Sequence, residues 1–442
     1  MYVSRTAVVL VLLGIPLIVL FPSGWLVAAW VSGSALLVGL DVLLAPSPKK
    51  LQAIRRFGPA IRIGERTETE VMITNTGRRR FRGRVRDAWQ PSAGALSDPQ
   101  PLQLAAGAAE PVRTELRPIR RGSLLPHRLT LRSRGPLRLA GRQRSLRVPG
   151  EVRVLPAFPS RRNLPSRLAR LRELDGLTLI QSAGHGTEFD SLREYVPGDD
   201  VRGIDWRATA RRRDLVVRTW QPERDRRIVM VLDTSRLSAG RVGDLPRLDA
   251  AMDAVLLLAA VAARAGDHIT LLAADRTVHT EVSGLRRGQL LPELSQAMAP
   301  LQPSLHEADW REVSTELLQT SRRDSLLVLL TPLEPEPVAE NLLPVIARLS
   351  SRHRVVVASV ADPGVDQLAA DGELAEVTAT TGGADAIGRF HQAAAAEQTR
   401  LQRRVAGAGI AAVGGTVLDE PPDRLPTALV DHYLMLKREG RL

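Results

Sequence analysis

Cysteine is absent from the 442 residues, which excludes disulfides, thiolate nucleophiles and cysteine-based zinc sites together. Lysine is nearly absent: Lys49, Lys50 and Lys437 are the only three, so the formal net charge of +13 is carried by arginine. No lysine follows a glycine-rich turn, so there is no Walker-type phosphate loop and ATP hydrolysis by this chain is not expected. Aromatic residues make up only 3% of the chain, so a local cluster of them marks a fixed structure. The basic balance suits anionic lipid, acidic partners or nucleic acid; beside the apolar runs near the N-terminus, lipid headgroups come first and nucleic acid is not expected. An apolar fraction of 44% with 25% charged residues is that of globular protein, and 442 residues exceed one core, so two or three soluble units are expected.

Two long apolar runs, 6–21 and 25–44, are separated by Pro22, Ser23 and Gly24, a connector suited to a tight turn. They predict a transmembrane helical hairpin over 1–48. Asp41 stands near the end of the second run, where a carboxylate reaches the interface. Arg5 before the hairpin and Lys49, Lys50, Arg55 and Arg56 after it place both termini and the soluble domains in the cytoplasm, giving a multi-pass protein of the cell (inner) membrane. A secretory signal peptide ending near Ala28 or Ala29 is the competing reading, but a second apolar run directly after it does not belong to such a segment.

From 52 to 158 the pattern is short alternating runs, among them 70–75, 128–133 and 151–155, punctuated by Asn75-Thr76-Gly77, Pro91, Gly107 and Arg121-Gly122. This predicts an immunoglobulin-like β-sandwich with no catalytic cluster. A linker and a dense motif follow over 160–226, with 161–172 expected as a short amphipathic helix through Leu164, Leu168 and Leu171.

The motif itself, GHGTEFDSLREYVPGDDVRGIDWRATARRRDLVVR, runs over 184–218. Pro197, Gly198, Asp199 and Asp200 form a turn sequence, and Arg193, Arg202 and Arg211 interleave with Glu194, Asp199, Asp200 and Asp205, as bidentate arginine–carboxylate staples would. The competing reading takes the aspartates as a metal or acid/base cluster, although no nucleophile or histidine accompanies them. With Gly186, Glu188, Phe189, Leu192, Tyr195 and Trp206, this segment resembles the signature of the bacterial domain-of-unknown-function family 58. The resemblance extends over essentially the whole chain.

From 227 to 442 apolar β-type runs alternate with helical stretches: 228–232, 248–265, 269–273, 290–298, 326–330, 338–349 and 355–360. The alternation predicts an α/β, Rossmann-like domain with a parallel sheet. The fold class is thus multidomain: a two-helix hairpin, a β-sandwich and an α/β domain. Asp233-Thr234-Ser235-Arg236-Leu237-Ser238 resembles the metal-binding loop of von Willebrand factor type A domains, D-x-S-x-S. Leu237 departs from it at the second serine, and Thr331 stands where that family offers an aspartate. Asp233, Ser235 and Thr331 therefore make a degenerate Mg2+ site, with two protein oxygens missing from the six that ion prefers; the plain alternative is loop capping by Asp233.

No catalytic residue and no certain cofactor are expected. The leading expectation is a membrane-tethered, non-enzymatic interaction protein that presents the type A face. The family resemblance implies a MoxR-type AAA+ ATPase as partner, in assembly or maturation of other complexes. Two alternatives stay open: a metal-dependent hydrolase using Asp199, Asp200, Asp205 and Asp233, and a scaffold bound to anionic lipid through Lys49, Lys50, Arg55, Arg56 and Arg62.

Overall fold

A computed structural model describes residues 1–56, 58–181, 188–197, 201–212, 214–221, 226–321, 324–378 and 384–442. The chain divides into two compact units, Met1–Leu155 and Pro156–Leu442.

The first unit opens with helices Arg5–Leu12, Gly14–Leu20 and Gly24–Leu44. The break after Leu12 has a local cause: Pro16 lacks an N–H and its ring crowds the carbonyl four residues earlier. The residue at position 14 must be small, because a Cβ there would lie 2.2 Å from the indole nitrogen of Trp30 on the third helix. Twenty-one residues rise roughly 31 Å, and among the described residues this third helix is the one long and apolar enough to cross a bilayer; the pair over Arg5–Leu20 is apolar but shorter. Val9, Leu13, Val19, Val31, Leu36 and Leu43 are all exposed.

Asp41 does not project to an interface. It is completely buried, and its carboxylate accepts the backbone N–H groups of Leu137 (2.7 Å), Leu139 (2.8 Å) and Ala140 (2.8 Å). Arg142 donates to the helix-end carbonyls of Val42 and Leu43, satisfying groups that the last turn leaves unpaired. The loop meets the first helix as well: Tyr2–Val3 pairs with Ala140–Gly141, and the Ser4 hydroxyl donates to the Arg138 carbonyl.

The β-rich part contains an antiparallel sheet of Leu51–Arg56, Thr67–Asn75 and Ala109–Leu116, and another of Gln143–Leu146, Pro126–Ser133, Phe81–Trp89 and Gln100–Leu104. Alternating side chains of both, including Val71, Ile73 and Val112 from one and Val85, Leu104 and Leu131 from the other, form one core. A short third sheet joins Ile61–Arg62, Val152–Leu155 and Gly122–Leu124. Arg55, expected among the lipid-facing charges, is instead buried. Its guanidinium makes a two-pronged ion pair with Asp87 at 2.7 and 2.9 Å, and Trp89 donates its indole N–H to the same carboxylate.

In the second unit six strands form one sheet, numbered here β1 (Arg227–Asp233), β2 (His268–Ala274), β3 (Val278–Val282), β4 (Leu326–Leu330), β5 (Arg354–Val360) and β6 (Thr416–Glu420). Their order is 3-2-1-4-5-6, parallel except for β3 at one edge. Successive side chains of β1 point to opposite faces. Ile228, Met230 and Leu232 pack with helices Arg247–Ala265 and Leu425–Arg438, whereas Val229 and Val231 pack with Trp310–Thr320 and Leu343–Ser350. Burial on both sides is why these strands read as unbroken apolar runs. The helix expected over 161–172 spans Leu164–Gln181, and its Leu171 is part of this core.

Candidate functional site

In an open parallel sheet the crevice lies where the strand order reverses, outside the carboxyl ends. Here that place is between β1 and β4, and it is where Asp233 ends one strand and Thr331 follows the other. Asp233 is 2% exposed, and Thr234 and Ser235 are fully buried. The turn after β1 forms because the Asp233 carboxylate accepts its own loop's Ser235 N–H at 2.7 Å, a local bond that short acidic side chains make readily. The other carboxylate oxygen accepts the Thr331 hydroxyl at 2.6 Å, which ties the two central strand ends together. Burial pushes the Asp233 carboxyl above its ordinary value, against these hydrogen bonds, with the nearby Asp275 adding to the rise.

Further side chains complete the rim. Asp275 follows β2; burial works upward on it, yet hydrogen bonds from Ser304 and from the backbone of Arg276 and Thr277, with His279 nearby, hold its carboxyl below the usual value. Thr234 shares a 2.8 Å hydrogen bond with His279, and Arg236 pairs with Glu307. A widened helical turn, Val338–Leu342, brings Asn341 to the cleft. Asp275, His279, Ser304, Glu307 and Asn341 were not singled out by sequence. Asp275 carries a usable signal: like Asp233, it directly follows an apolar strand run.

The cleft lined by Asp233, Leu237, Glu307, Trp310, Thr331 and Asn341 measures about 20 Å³. One water-sized group fills such a space. The expected ligands Asp233, Ser235 and Thr331 offer one carboxylate and two hydroxyls, whereas Mg2+ prefers about six oxygens. Both carboxylate oxygens are already bonded, and among the described residues no three His, Asp or Glu side chains form a metal-binding group. These residues do not fit a resident Mg2+. Ser238, one step late for the type A pattern, is buried in the short helical turn Arg236–Ala239, its N–H bonded to the Ser235 carbonyl. A larger cavity of about 600 Å³ lies at the opposite, amino ends of β1 and β2, lined by Arg227, Asp267, His268 and Arg287.

The motif segment forms a two-stranded antiparallel ribbon, Glu188–Glu194 with Val216–Gln221, bridged in part by helix Trp206–Arg212. Asp205 caps that helix: its carboxylate accepts the N–H groups of Arg207 and Ala208 at 3.0 Å each. Its place is therefore structural. Arg193 donates to the Glu194 carbonyl. Leu192, Arg193, Glu194 and Tyr195 belong to the ribbon and its exit, Pro197 lies in the turn after it, and Arg202 is in the short turn Val201–Gly203. Arg211 is exposed near the helix end, and Trp206 is 68% exposed, with Val196 and Val201 exposed beside it in sequence. Glu188 and Phe189 are described as strand backbone, while Gly186, Gly198, Asp199 and Asp200 lie outside the described residues. The expected four-carboxylate cluster thus has Asp205 engaged as a cap and Asp233 held by Thr331 and Ser235.

Uncharacterized proteins of Mycobacterium tuberculosis (Rv1480) and Mycobacterium bovis (Mb1516) are each 26% identical over 277 residues, covering 61% of this chain and 84% of theirs. Among solved structures, the SpRpn10 VWA domain aligns with TM-score 0.28 at 13% identity, over 47% of this chain and 94% of that one. BatB from Bacteroides thetaiotaomicron aligns with TM-score 0.24 at 11% identity, over 31% and 67%. A PapD-like domain of human CEP192 aligns with TM-score 0.21 at 14% identity, over 25% and 91%. At these scores the fold rests on the strand order and pairing of the chain itself. The family model described as "Protein of unknown function DUF58" matches residues 191–406, which take in most of the motif and β1 to β5, and it is over that stretch that this chain is similar to the DUF58 family.

Proposed function

We propose that this chain is a membrane-anchored, non-enzymatic adaptor whose α/β unit, read as type A-like, presents the carboxyl ends of β1 and β4 to a protein partner. The observation that carries this reading is the cleft at the strand-order reversal. It is the place where such sheets bind, yet it has room for about one water-sized group. Its buried carboxylate is turned inward to Thr331 and Ser235, while charged residues such as Arg236 and Glu307 stand exposed on its rim. That arrangement favours contact over turnover of a small substrate.

The anchor is the hairpin of Arg5–Leu20 and Gly24–Leu44, supported by the exposure of its apolar side chains, and the flanking Arg5, Lys49 and Lys50 favour a cytoplasmic position for both flanks. The partner class follows from the family resemblance: a MoxR-type AAA+ ATPase acting in assembly or maturation of other complexes.

The test is cross-linked affinity purification of the full chain from native membranes, with and without ATP, comparing wild type with Arg236→Glu. Capture of an AAA+ ATPase by wild type, reduced severalfold in the rim variant, is the expected result. Absence of any such ATPase in every nucleotide state removes the partner, and ATP hydrolysis by the purified chain alone removes the non-enzymatic reading.

A further inference from the structure

The loop that encloses Asp41 has no slack between it and the bilayer. Its position depends on Gly24–Leu44 spanning the membrane, the anchor reading proposed for this helix. The helix rise of roughly 31 Å then equals the hydrocarbon thickness of about 30 Å, with no helix left over. Asp41 lies one turn before the helix end. The Leu137 N–H is 2.7 Å from its carboxylate, so the backbone at 137 stands within roughly 5 Å of the hydrocarbon boundary. The Ser4 hydroxyl bonds the same loop at Arg138, at the start of the other apolar helix, so the loop is bracketed by both helices.

The tip has the composition that such a position demands. Pro136, Leu137 and Arg138 are exposed, Leu137 at 47%; Arg134 is exposed beside them, and 133–142 contains no acidic residue. Arg5, Lys49 and Lys50 add exposed positive charge at the adjoining helix ends. Arg138 has φ 61°, a left-handed backbone that glycine adopts more easily, and the position nevertheless carries a long cationic side chain.

We propose that residues 134–138 form an interfacial membrane loop. Leu137 enters the boundary between headgroups and acyl chains, and Arg134 and Arg138 bind the phosphates of acidic phospholipids. Each basic side chain at an anionic surface is worth about a fivefold preference for acidic lipid. The loop is thereby a second, non-helical membrane contact of the β-rich unit.

The absence of native cysteine allows single spin labels on the full chain, at Leu137→Cys, at Leu36→Cys in the middle of the apolar helix, and at Leu125→Cys. Leu125 is an exposed leucine just before strand Pro126–Ser133, at the end opposite the loop and roughly 27 Å along it. The protein is placed in nanodiscs of phosphatidylcholine with about one quarter phosphatidylglycerol, and accessibility to oxygen and to a water-soluble nickel chelate is compared. The label at 36 is expected to favour oxygen, that at 125 nickel, and that at 137 to be shielded from nickel relative to 125. Arg134→Ala with Arg138→Ala is expected to lower phosphatidylglycerol retained on mild extraction by about fivefold or more. If 137 behaves like 125 while 36 is in lipid, the loop proposal is overturned and the anchor stands. If 36 also behaves like 125, the anchor reading itself fails, and unchanged lipid retention in the double variant overturns the role of the two arginines.

Discussion

Removing the Asp41 carboxylate tests whether the apolar helix and the β-rich part are one mechanical piece. Three backbone N–H groups point at it, at 2.7, 2.8 and 2.8 Å, in a site without solvent exposure. Hydrogen bonds to a charged acceptor contribute about 1.5 to 3 kcal/mol each, and three that share one acceptor are not additive, so Asp41→Ala should cost about 3 to 5 kcal/mol locally. Asp41→Asn should cost about 1 to 3 kcal/mol, because its amide nitrogen turns a donor toward at least one N–H. A loss of about 3 kcal/mol corresponds to roughly hundredfold faster opening of the loop. Amide hydrogen exchange on the full chain reads this directly at Leu137, Leu139 and Ala140, with Val71 and Val85 in the sandwich core as unaffected references. Exchange of the three loop amides within about threefold of wild type in Asp41→Ala would refute the reasoning.

Three further outcomes are expected. Asp87→Ala leaves the buried Arg55 guanidinium unpaired and should destabilise the β-rich unit by about 3 to 5 kcal/mol, whereas replacing Arg55 with Met and Asp87 with Leu together should recover most of the loss in thermal unfolding. Asp233 has a folded pKa above its unfolded value, so its contribution is fully present below about pH 4 and is lost as pH rises through the folded pKa. Asp233→Asn should therefore raise the melting temperature at neutral pH and leave it unchanged near pH 4, as pH-resolved calorimetry would show; a neutral-pH loss would contradict the burial argument. Tyr433→Phe removes the 2.5 Å bond from the buried phenol to Asp267 and should cost about 1 to 2 kcal/mol in denaturant unfolding of the second unit.

The legible parts of the chain were those whose burial is two-sided. LVLL-type runs such as 326–330 and 355–360 announce central parallel strands because both faces are covered, and β4 is Leu326–Leu330. The edge strands Val278–Val282 and Thr416–Glu420 escaped because their half-exposed sequences, VHTEV and TVLDE, carry polar residues on the open side. At the candidate site Asp233 and Thr331 could be named from their positions after two strands, but their direct bond joins residues 98 apart and changes the chemistry from ligation to internal capping. Asp41 was misjudged for the same reason, since its partners lie 96 to 99 residues away. Arg55 looked like a flanking surface charge until strand Phe81–Trp89 placed Asp87 beside it.

The helix Leu425–Arg438 supplies Leu425, Leu429, Val430 and Tyr433 to the same core as β1, and Tyr433 reaches back to Asp267 across 166 residues. A nascent chain elongating at about 5 to 20 residues per second therefore carries an unfinished sheet for roughly 10 to 40 seconds between the appearance of β1 and that of Tyr433. During that interval the core that β1 shares with Arg247–Ala265 lacks its closing helix, while the N-terminal helices have long been synthesised. On the anchor reading proposed above, the apolar helices enter the membrane before the α/β unit closes, and a chain truncated before residue 425 would leave that core open and become a substrate for quality control.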